Sequence, residues 1–160
     1  MTDVNTLYEE DFLAWSKQQA SALRAVARAG SNHPLDWHNL AEEIEGLGIS
    51  QRSALRSQIR RIIRHLLKLE FSRAIDPRRG WVESIGEARA EVEDLLETSP
   101  SLRSDLQGDI AAQTKRAIEL AIRDLRGYDE IDDACLSRLR VATFTEEQVL
   151  GDWFPEQPPR

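Results

Sequence analysis

The sequence predicts an all-α fold: an antiparallel helical bundle of about four main helices around one long central helix, over about residues 36–71, with a short C-terminal extension. Three observations carry that prediction. Apolar residues recur three or four positions apart through most of the chain, the period of a helix with one buried face. No stretch shows the strict alternation of a half-buried strand. The composition, 41% hydrophobic and 31% charged with Ala, Leu, Glu and Arg prominent, is that of a helical globular protein. A chain of 160 residues can bury one core without metals or disulfides, so residues 1–160 read as a single helical domain with its core over about 6–127 and an extension over 128–160.

The first helix is expected from Thr6, whose hydroxyl and Glu9 have capping-box spacing, to about Gly30. Tyr8, Phe12, Trp15, Leu23 and Val26 mark its apolar stripe. Gly30 and Pro34 punctuate a turn, and Asp36 caps the central helix. Along that helix Leu40, Ile44, Leu47, Leu55, Ile59, Ile62 and Leu66 keep one phase across Gly46 and Gly48. Its length is on the order of 50 Å, enough for every other helix to find packing surface there. A break at the two glycines, giving two helices, is the alternative.

Pro77 and Gly80 mark the next loop, and Trp81, Ile85, Ala88, Val92 and Leu95 define a helix to about Thr98. Ser99 and Pro100 end it and start the following helix, which Leu102, Leu106, Ile110, Ala117, Ala121 and Leu125 carry to Arg126. Beyond Gly127 the pattern weakens to a short helix over 131–139 and a second capping box, Thr145 with Gln148. Trp153 and Phe154 read as an apolar plug, and the last five residues as a frayed end.

Charge is unevenly placed. The net charge is −7, yet residues 51–79 carry nine cations and two anions, while residues 1–50 sum to −5 and 80–160 to −9. Arg52, Arg56, Arg60, Arg64 and Lys68 recur at a strict spacing of four, a slowly spiralling stripe beside the apolar seam. This stripe is the candidate partner-binding surface, for an acidic protein or, alternatively, for nucleic acid or a phosphate ligand. Internal pairing is the competing explanation, because Glu83, Glu87, Glu91 and Asp94 form an acidic stripe on the next helix. The acidic balance of the chain and the absence of aromatics among the Arg residues argue against nucleic acid.

Metal chemistry rests on His38, Glu42 and His65, but the Glu-x-x-His pairs of carboxylate-bridged bundles are absent. Of Glu42 and Glu43, one is expected to lie partly buried against an Arg. Cys135 sits in an acidic stretch with no His near it in sequence, so no catalytic nucleophile is assigned. No cofactor is implied. A lone cysteine, no apolar span of membrane length and no leader-like start predict a cytoplasmic protein away from the membrane.

Several strings, in order, carry a resemblance: Tyr8-Glu9-Glu10-Asp11-Phe12 with Trp15, Asn39-Leu40-Ala41-Glu42-Glu43-Ile44-Glu45 with Gly48, His65-Leu66-Leu67-Lys68, Trp81 with Ile85, and Ser99-Pro100-Ser101-Leu102. Over about residues 8–155 the chain resembles the bacterial family catalogued as domain of unknown function twenty-nine. That resemblance implies an all-helical fold and brings no activity with it. The functional expectation is a non-enzymatic protein-protein interaction module, working through a protein partner or self-association.

Overall fold

The computed structural model describes residues 4–127 and 131–157, and all regular structure among them is helical. The helices are α1 (Val4–Glu10), α2 (Phe12–Ala29), α3 (Trp37–Phe71), α4 (Arg78–Thr98), α5 (Leu106–Arg126), α6 (Asp133–Arg140) and α7 (Glu146–Leu150), with a 3-10 turn over Pro100–Asp105 before α5. The chain divides into two compact units: residues 1–55 with 94–104, and residues 56–93 with 105–160. Pro158, Pro159 and Arg160, within the stretch expected to fray, lie outside the described residues, as does the 128–130 connection.

α3 is a single helix of 35 residues, continuous through Gly46 and Gly48. Asp36 starts it as predicted, accepting from the Asn39 amide at 3.2 Å and from the Asn39 side chain at 2.6 Å.

In the first unit the expected opening helix is two helices. Asp11 leaves helical geometry (φ −156°, ψ 92°) and caps α2 by accepting from the Ala14 amide at 2.9 Å. Thr6 lies inside α1, so it caps nothing. The reason for the break is tertiary, because the same carboxylate accepts from the Ser101 amide at 2.7 Å and its hydroxyl at 2.9 Å. Ser99 likewise turns away from its own helix. Its buried hydroxyl accepts from the Leu13 amide at 3.2 Å, and a 3-10 turn replaces the first turn of the helix predicted to begin there. Tyr8, Phe12 and Trp15 pack as an aromatic cluster with centroids 4.8 to 5.8 Å apart.

The buried line of α3 in this unit differs from the predicted seam. Ala41, Gly48 and Leu55 are buried, whereas Leu40 and Leu47 are 39% and 51% exposed. Gly48 explains the rotation. A Cβ there would come within 2.2 Å of the Ser16 hydroxyl and 2.8 Å of Leu13, so α2 approaches along the small residues and leaves the neighbouring leucines outside.

The second unit holds most of the core. Ile59, Ile62, Ile63, Leu66 and Leu67 of α3 are fully buried, as are Ile85 and Ala88 of α4 and Ile110, Ala117 and Ala121 of α5. Each large aliphatic buried this way contributes about 1.5–3 kcal/mol. Cross-helix bonds fix the directions. Gln58 meets Glu91 and Arg61 meets Ser84 and Glu87, so α3 and α4 are antiparallel. Arg56 meets Asp109 and Arg64 meets Asp124, so α3 and α5 run parallel. α4 starts a turn earlier than predicted because Arg78 donates to the Leu69 and Ser72 carbonyls at 2.8 and 3.1 Å, closing the end of α3. The Thr145–Gln148 capping box of α7 forms as expected.

Candidate functional site

In the second unit, four members of the cation stripe, Arg56, Arg60, Arg64 and Lys68, reach side chains of α5. Arg56 Nε lies 2.6 Å from Asp109, whose carboxylate is 1% exposed. Arg60 donates to Gln113 at 3.0 Å. Arg64 grips Asp124 with two bonds of 2.7 Å, and Lys68 reaches the same carboxylate at 3.5 Å while its ammonium sits 4.7 Å from the centre of the Trp81 ring. Burial pushes the Asp124 carboxyl up, but the Arg64 hydrogen bond and the Lys68 and Arg64 charges outweigh it and hold the group below its usual range. The expected acidic partners on α4 take other cations: Glu87 and Glu91 lie 2.9 and 4.0 Å from Arg61, and Glu83 pairs with Arg79 at the surface. Arg52, in the first unit, is half-buried. Asp109, Gln113 and Asp124 were missed by sequence reasoning. The signal was present as two acids and an amide on one side of α5, flush with its apolar stripe.

The metal candidates do not form a centre. His38 and Glu42 are exposed on the first unit's part of α3. His65 is half-buried in the second unit with Nδ1 2.8 Å from the Arg61 carbonyl, and burial pushes its pKa down. Among the described residues, no group of three or more His, Cys, Asp or Glu side chains is arranged to hold a metal ion. Glu42 and Glu43 are both exposed; the glutamate that pairs is Glu45, 2.6 Å from Arg24.

Two surface features of the described residues bear on binding. In the first unit Leu40 and Leu47 lie two turns apart on one flank of α3, followed by exposed Ala54 and accompanied by Glu43. Leu35, just before the helix, is 53% exposed. In the second unit two adjoining clefts of about 350 and 400 Å³ share four walls: Glu70, Phe71, Arg138 and Trp153. Their outer wall is the C-terminal segment, which Arg89 of α4 holds by donating to the carbonyls of Gln148, Val149 and Trp153 at 3.0, 2.9 and 2.7 Å. The Phe154 ring stacks on the same guanidinium at 4.8 Å, which is how the predicted apolar plug is seated.

The profile of the family described as Domain of unknown function DUF29 matches residues 7–154. The chain belongs to this family. The DUF29 assignment agrees with the fold of a solved relative, an alpha-helical protein of unknown function from Rhodospirillum rubrum, which is 29% identical, covers 92% of this chain over 90% of its own, and superposes with a TM-score of 0.73. None of the curated proteins matches the chain. No helix among the described residues of this DUF29 protein is long and apolar enough to cross a membrane.

Proposed function

We propose that the protein is a non-enzymatic binding module that docks another protein on the outward flank of α3 in the first unit. The observation that carries this reading is the exposure of Leu40 and Leu47, 39% and 51%, at a spacing of seven on one face of a helix. The partner's chemistry follows from charge. Residues 1–50 sum to −5, and Glu43 borders the leucines, so the complementary surface is an apolar helix face fringed with Lys or Arg. Electrostatic repulsion between two such acidic flanks disfavours a second copy of this chain. The stripe from Arg56 to Lys68 serves the scaffold in this reading, because its charges already face α5.

The test compares the wild type with the Leu40→Glu/Leu47→Glu double variant. A basic protein captured by the wild type should reconstitute a complex from purified components and be lost by the double variant. Retention by the variant refutes the surface, and a wild-type homodimer in light scattering that the variant abolishes refutes the partner.

A further inference from the structure

The charges in the twin clefts of the second unit are arranged in an unusual way. Glu70 and Arg138 line both clefts, yet no hydrogen bond or ion pair joins them, and among the described residues Glu70 has no hydrogen-bond partner at all. Arg138 instead lies over the Phe71 ring, 5.4 Å from its centre. Glu70 is the next-to-last residue of α3, where the helix dipole disfavours an anion even with Arg78 closing the Leu69 carbonyl. Burial pushes its carboxyl up, with Arg138 only partly opposing. A glutamate in that place costs stability that Arg138 offsets only in part. Phe71 and Trp153 supply apolar walls beside the two charges, and Val141, 75% exposed, forms the rim of the smaller cleft.

A lone anion would meet Glu70, and a lone cation would meet Arg138. A molecule bearing both charges satisfies both groups at once, and an apolar body fits the aromatic walls. We propose that these clefts bind a small zwitterion of the apolar α-amino acid type, its ammonium on Glu70, its carboxylate on Arg138 and its side chain between Phe71 and Trp153. This site is independent of the protein-docking flank, which lies in the other unit.

Titration calorimetry with L-leucine, L-phenylalanine and L-tryptophan tests it, using the full chain and the Glu70→Gln and Arg138→Gln variants. At least one of the three should bind the wild type, and each variant should weaken that binding by about tenfold or more, the loss of one charge-assisted contact. The amide of the binding amino acid, which lacks the carboxylate, should respond to Glu70→Gln and ignore Arg138→Gln; the N-acetyl form should do the reverse. Cys135 lines the larger cleft, so the bound amino acid should also slow its alkylation by iodoacetamide. No heat from any of the three at about 10 mM overturns the proposal, as does binding that both variants retain. Circular dichroism of the variants separates lost binding from lost folding.

Discussion

Asn in place of Asp124 isolates the inward-facing stripe, because it keeps the shape of the side chain and removes its charge. Asp124 accepts two bonds of 2.7 Å from Arg64 and sits 3.5 Å from Lys68. Charge-assisted bonds of this kind contribute about 1.5–3 kcal/mol each, but Asn retains one acceptor, and the Arg64 side chain, 37% exposed, can rehydrate. The net loss should be about 2 kcal/mol. For a chain of this length that is a fall in Tm of roughly 4–8 °C. A double-mutant cycle with Arg64→Met should give a coupling of about 1–2 kcal/mol. The pH dependence has a definite sign. The folded carboxyl titrates below its ordinary value of 3.8, so its contribution is present above that pH and is lost as pH falls through the lower, folded value. Urea denaturation from pH 7 down to about pH 2 should show the wild type and Asp124→Asn converging in acid. Equal stability of the two at pH 7, or zero coupling to Arg64, would refute the claim that the stripe is scaffold.

Three further outcomes follow from the geometry. Gly48→Ala should destabilise the first unit by about 1–3 kcal/mol, since its Cβ would strike Ser16 and Leu13, whereas Gly46→Ala, with nothing within 4 Å, should stabilise by about 1 kcal/mol; thermal melts of the pair decide it. Arg89→Met removes three carbonyl contacts from the 148–153 segment. Release of that segment should become easier by about 2 kcal/mol, roughly thirtyfold in amide exchange there. Asp11→Ala uncaps α2 and frees Ser101, and should cost about 2 kcal/mol in denaturant titration.

Helix existence was legible because each helix repeats a local period. The 35-residue span of α3, its Asp36 cap and the α7 capping box all follow from spacing alone. Boundaries set by distant residues were not legible. Nothing near Asp11 announces that Ser101 will pull it out of the helix, and nothing near Ser99 announces Leu13. The seam of α3 was misplaced in its first half for a related reason. Hydropathy favours Leu40 and Leu47, whereas the close approach of α2 favours Ala41 and Gly48, and steric fit decided. The stripe of cations was visible, but its partners were sought on the nearest acidic helix in sequence. They belong to the parallel helix beyond it, where Asp109 and Asp124 interrupt an otherwise apolar pattern. The Glu70 and Arg138 clefts escaped notice because the two residues are 68 positions apart and neither belongs to a motif.

The first unit is made of two pieces of chain separated by 38 residues that belong elsewhere. That has a consequence for synthesis. At about 5–20 residues per second, residues 94–104 leave the ribosome on the order of 2–10 s after residue 55. Until then Asp11 has no Ser101 and the Leu13 amide no Ser99 hydroxyl, so α2 has only the early turns of α3 to pack on. The N-terminal third of the protein therefore spends its first seconds as a client for whatever shields nascent chains, and completes its own structure only when a much later segment arrives.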